Sequence, residues 1–145
     1  EGDVIWSTVR PNRRSHALVL DEYEDLIAST GLAVLTPKEG QLAYVYEATR
    51  TEMFTAYLEG AAEGSAYPAV RAERFLGAPV PVADDIDIRK FEAFGAPLRL
   101  RAHTASVESR CLAAMRDSLL PQLMSGSIRC SDAERVVEGT VLDGN

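Results

Sequence analysis

The sequence predicts an α+β fold, a mixed β-rich half followed by a long helix of coiled-coil-like character. Three short segments rich in β-branched and aromatic residues precede any helical pattern, and a seven-residue apolar spacing dominates the second half. Residues 3–9 (DVIWSTV) lead into Pro11-Asn12 and predict a strand ending in a turn. His16–Leu20 and Leu26–Leu35 are the next strand candidates. The first leaves through the acidic Asp21-Glu22-Tyr23-Glu24-Asp25 run, and the second is stopped by Thr36-Pro37-Lys38. Over Gln41–Ala62 the period changes: Phe54, Tyr57, Leu58 and Ala61 fall at i, i+3, i+4 and i+7, one face of a helix. Gly64–Val70 is a loop by its Gly, Ser and Pro content, Arg71–Leu76 a short helical stretch, and Ala78–Val82, with Pro79 and Pro81, an edge strand or extended segment.

Asp84 is suited to cap the helix that follows, with acids in its first turn at the positive end of the dipole. Placing a at Phe91, Leu98, Ala105, Leu112 and Leu119 gives an apolar row. The d row, Phe94, Arg101, Glu108, Met115 and Gln122, is mixed, which predicts a helix that needs a partner. Gly95 and Pro97 are expected to break or kink it near its start, Pro121 removes a backbone hydrogen bond near its end, and Gly126 is its natural stop. Ser131-Asp132-Ala133-Glu134 has capping-box spacing and predicts a last short helix. The expected organisation is 1–82, 84–126 and a tail over 127–145.

Composition sets the outer bounds. With 145 residues, 46% hydrophobic and 26% charged, the chain can bury a core, and no stretch reaches the roughly 18–20 apolar residues of a spanning helix. Glu1-Gly2-Asp3 is not a signal-peptide start, so the reading is cytoplasmic. Cys111 and Cys130 have neither a disulfide framework nor zinc spacing, and no metal site is expected. A net charge of −7 argues against nucleic acid only until it is located: Asp21, Glu22, Glu24 and Asp25 hold −4, residues 130–145 hold −3, and the remainder is neutral. Within that remainder Arg10, Arg13 and Arg14 cluster at a turn, and Arg71 and Arg74 sit together further on.

Hydrolytic chemistry finds little support. His16 and His103 lack a GxSxG elbow, and no glycine-rich cofactor turn precedes a helix. Ser65-Ala66-Tyr67-Pro68 is not an Asn-Pro-Pro-Tyr type of amino-methyltransferase motif. Neither a catalytic residue nor a cofactor is expected.

Several segments in order resemble the specificity (S) subunits of type I restriction-modification enzymes. Gly2-Asp3-Val4-Ile5-Trp6-Ser7-Thr8, running into Val9-Arg10-Pro11-Asn12, is similar to the family's Gly-Asp, two hydrophobics, x, Ser-Thr strand and its loop. Residues 26–35, with Ala28-Ser29-Thr30-Gly31, resemble its next strand, and residues 64–70 the loop after its helix. Leu112-Ala113-Ala114-Met115-Arg116-Asp117-Ser118-Leu119-Leu120-Pro121-Gln122-Leu123-Met124-Ser125-Gly126-Ser127-Ile128 resembles the end of its conserved helix.

The resemblance implies the later part of a DNA target-recognition domain, with more sequence before the Gly-Asp strand in a full domain, joined to one conserved spacer helix. It implies a non-catalytic subunit whose partners are double-stranded DNA, the methyltransferase (modification) subunit and, through it, the restriction subunit. The residues suited to DNA are Arg10, Asn12, Arg13 and Arg14 in the first loop, where guanidinium groups reach phosphate or guanine, and Ser65, Tyr67 and Arg71 in the second. Each has a plainer reading: a solvated turn for the arginines, a packing corner for Tyr67-Pro68. Partner contact falls to the helix, at Leu98, Ala105, Leu112, Met115, Arg116, Asp117 and Leu119, with a homodimer as one use of the apolar row. The alternative is a helical dimerisation module that does not bind DNA, which leaves the β-rich half without a purpose.

Overall fold

A computed structural model describes residues 2–21 and 26–135. The chain is α+β, as the sequence predicts. The strands are β1 (Val4–Ser7), β2 (His16–Leu18) and β3 (Leu32–Leu35), arranged β2-β1-β3 with both neighbours antiparallel. The helices are α1 (Leu42–Ala48), α2 (Glu52–Gly60), α3 (Ala72–Phe75) and α4 (Asp85–Ser125), and a 3-10 turn occupies Pro11–Arg13. Two compact units divide the chain, Glu1–Leu100 and Arg101–Asn145.

The sheet of the first unit is built on the two-residue period of β1. Trp6 lies opposite His16 and Ala33, and Val4 opposite Leu18 and Leu35, so all six share the inner face. Val4 and Trp6 are fully buried, and Phe54 and Leu58 of α2, Val70, and Phe75 of α3 close the core over them. The Trp6 ring lies 5.5 Å from Phe54 and 6.5 Å from Phe75, tilted against each, and stacks on His16 at 4.9 Å.

Several sequence expectations are corrected. The strand expected over Leu26–Leu35 is confined to its last four residues, because β1 is itself four residues long and offers no further ladder. The helix expected over 41–62 is two helices: Thr51 adopts extended backbone and its hydroxyl caps α2 by accepting from the Phe54 amide at 3.3 Å. Of the two readings of Ala78–Val82, the edge strand is excluded: the segment joins no strand and no helix. The acidic residues 22–25 lie outside the described residues.

Gly95 and Pro97 do not interrupt α4. Asp84 caps the helix as expected, accepting from the Asp87 amide at 2.8 Å. Its first part is held against α1, where Gly95 is buried and a Cβ there would lie 3.0 Å from that of Ala43. Gly95 therefore supplies close helix approach, and the packing gained outweighs the roughly 1 kcal/mol that glycine costs a helix.

In the second unit α4 runs through Pro121 and ends at Ser125. Gly126, with φ of 72°, returns its amide to Leu123 O at 3.1 Å while Ser127 N reaches Gln122 O at 3.0 Å, the left-handed stop its sequence predicts. Residues 130–135 are helical, but Ser131 lies inside that turn, which the carbonyl of Arg129 opens by accepting from Asp132 and Ala133. Residues 136–145 of the expected tail lie outside the described residues. No helix among the described residues is long and apolar enough to cross a membrane.

Candidate nucleic-acid interface

The first loop begins where β1 runs out of partners. Val9 forms an isolated bridge with Ala69, which pairs in turn with Glu63. Thr8 O accepts from Val70 N at 2.8 Å, and Arg10 N donates to Pro68 O at 2.7 Å. These bonds staple the loop after β1 to the loop after α2, two segments more than 50 residues apart in sequence. The 3-10 turn packs on α2 through buried Pro11.

Arg10 and Arg14, the residues flanking that turn, are both left-handed, with φ of 52° and 51°. Each non-glycine residue there costs about 1–2 kcal/mol. The strain is held by the amides of Arg13 and Arg14, which return to the carbonyls of Arg10 and Pro11 at 2.9 Å. Strain of this kind concentrates where a loop presents side chains.

The stapling brings Arg10 to Tyr67, with the guanidinium 4.7 Å from the ring centroid, although the ring remains 70% exposed. Asn12 and Arg13 are exposed on the 3-10 turn, and Ser65 is exposed beyond Gly64. Arg71 lies 3.6 Å from Glu63, both largely in water, an ion pair of little energetic consequence.

Arg14 leaves this group. Its guanidinium Nη2 donates to the carbonyl of Arg50, and it lines a separate open cleft of about 420 Å³ with His16, Glu47, Arg50 and Thr51. Glu47 binds Arg50 at 2.9 Å and also Arg99 of α4, while both guanidinium groups lie over Tyr46, at 5.2 and 5.1 Å. Sequence reading missed Tyr46, Glu47, Arg50 and Arg99, because Arg99 comes from α4, about 50 residues away, and the four form no charge run. The one local signal was Thr51, whose capping character marks the α1–α2 corner.

His16, half-buried, lines this cleft. A carbonyl oxygen only accepts, so the 2.5 Å contact to Arg14 O places the proton on Nδ1. Burial, chiefly, and the Arg50 and Arg14 charges hold its pKa below the ordinary histidine value, against the opposing backbone hydrogen bond and Glu47.

The residues expected to meet a partner divide between the units. Leu98, in the first, lines a cleft of about 460 Å³ with Ala43, Phe91, Phe94 and Gly95. In the second, Ala105 and Leu112 are exposed, Met115 and Leu119 half-buried, and Arg116 pairs with its neighbour Asp117 at 2.8 Å. Cys111 and Cys130 are free and exposed. No group of three or more His, Cys, Asp or Glu among the described residues is placed to hold a metal ion.

No family model, curated protein or solved structure matches this chain.

Proposed function

We propose that the chain is the DNA-reading part of a type I restriction-modification specificity subunit, cytoplasmic and non-catalytic, that helps select the target and docks the methyltransferase subunit. The observation that carries this reading is the stapling of the 8–14 and 63–71 loops, which brings Arg10 to Tyr67 and joins the two segments that carry the exposed Asn12, Arg13, Ser65 and Arg71. A guanidinium ordered on an aromatic face, beside exposed polar side chains on a strained loop, suits phosphate positioning with base contact. The motif resemblance over residues 2–12 and 112–128 supports the same reading.

Titration of a labelled DNA duplex at several salt concentrations is the test. Binding by the lone chain is expected to be micromolar or weaker and to fall steeply with salt. Arg13→Ala should reduce the slope of log K against log salt by about one, and Tyr67→Ala should weaken binding by disordering Arg10. An unchanged slope in Arg13→Ala together with unchanged affinity in Tyr67→Ala would place the DNA surface elsewhere. The chain should show no methyl transfer and no thermal shift with S-adenosylmethionine, which belongs to the partner. A pull-down with the methyltransferase subunit, repeated with Arg116→Glu and Asp117→Arg, tests docking on α4.

A second reading, a helical pairing module, draws on the exposure of Leu98 and Leu112, 46% and 49%, which leaves apolar side chains of α4 facing water. Pairing and DNA reading are compatible in one chain.

A further inference from the structure

We infer that the cleft between the 3-10 turn and the α1–α2 corner is an oxoanion seat, taking a phosphodiester of the DNA backbone at a second position beyond the Arg10–Tyr67 contact. The inference rests on the proposed DNA-reading function and extends it to residues outside the two stapled loops.

The charge balance of the cluster is the first argument. Arg14 and Arg50 line the cleft with one carboxylate, Glu47, which also pairs with Arg99 of α4 outside it; with His16 held neutral the lining carries a formal +1, and Arg99 draws further on the charge of Glu47. Glu47 is already shared between two guanidinium groups, so it neutralises neither fully. The Arg50–Glu47 hydrogen bonds are made by Nη1 alone, which among the described residues leaves other donors of the five-donor fork for a ligand. Arg14 commits only Nη2, to Arg50 O, among the described residues.

Order is the second. Tyr46 lies under both Arg50 and Arg99, and the stacked, ion-paired guanidinium groups are fixed before any ligand arrives. Arg14 is held at φ of 51°, a conformation in which glycine or asparagine would be less costly, so its side chain enters the cleft from a strained backbone. Thr51, at the rim, caps α2, whose N-terminal dipole adds to the positive potential. A planar fork above an aromatic face, open to solvent on one side, suits a phosphate oxygen pair better than a carboxylate already satisfied within the fold.

The experiment uses the full chain. Arg14→Asn removes the guanidinium while suiting the left-handed backbone, so the variant should fold; Arg50→Gln is the second probe. Each is expected to reduce the slope of log K against log salt for a DNA duplex by about one, additively with Arg13→Ala. Inorganic phosphate should raise the melting temperature of the wild type and not that of Arg14→Asn. Duplex binding whose slope ignores both Arg14→Asn and Arg50→Gln, while still responding to Arg13→Ala, overturns the seat and leaves the proposed function standing. Stabilisation by phosphate in a chain that binds no duplex overturns the phosphodiester as ligand, and the DNA-reading function with it.

Discussion

Glu92 of α4 accepts a hydrogen bond from the backbone amide of Tyr44, at 2.7 Å, and so caps the N-terminus of α1 from another helix. Gln41, which precedes α1, offers no side-chain cap of its own. A carboxylate at that end satisfies an orphan amide and opposes the helix dipole, a contribution of about 1 kcal/mol. Glu92→Ala should lower the unfolding free energy by about that amount in urea titration, and Glu92→Gln by less. Equal stability of Glu92→Ala and wild type would mean that water replaces the cap without cost.

Gly95 is the tightest point of the same contact. A Cβ there would lie 3.0 Å from Ala43 Cβ and 3.1 Å from Phe91 Cε1. The Phe91 ring is exposed and can turn aside, but Ala43 Cβ is fixed to the backbone of α1 at a fully buried position. Gly95→Leu should therefore destabilise by about 1–3 kcal/mol through overpacking. Gly95→Ala should fail to show the roughly 1 kcal/mol gain that helix propensity alone would give. Thermal melts that place Gly95→Leu at or above wild type would refute the close approach.

The strand period, the Asp84 cap and the Gly126 stop were legible because each is set by neighbouring residues. The continuity of α4 through Gly95 and Pro97 was not, since it depends on Ala43 and Tyr44, about 50 residues away. The same distinction runs through the candidate site. Arg10, Arg13 and Arg14 stand out as a charge cluster, whereas the departure of Arg14 toward Arg50 is visible only once β2 and α1 are packed side by side.

The lowered pKa of His16 fixes the sign of a pH effect. The unfolded chain takes up its proton near the ordinary value of about 6.5, and the folded chain only at lower pH. The contribution of the neutral ring is therefore fully present above that value and is lost as pH falls from it toward the folded pKa. His16→Phe, which keeps a ring for Trp6, should flatten the dependence of the unfolding free energy on pH in this window. If His16→Phe follows the wild-type curve throughout, another group carries the effect.

Leu112 is exposed in the second unit, so Leu112→Glu should leave the stability of the monomer unchanged and lower the apparent stability only where the chain pairs. The wild type is expected to be a dimer by light scattering, and Leu112→Glu to shift it toward monomer. A wild type that stays monomeric at high concentration would remove the case for helix pairing.

Trp6, the single tryptophan, is buried in the first unit, and all Tyr and Phe residues also precede Arg101. The residues after Leu100 thus carry no near-ultraviolet chromophore ring: aromatic absorption and fluorescence both originate on one side of that boundary. Far-ultraviolet ellipticity, by contrast, sums helix from both units. Any gap between a denaturation curve followed by Trp6 emission and one followed by ellipticity would measure how far the two units melt independently, without a label being attached.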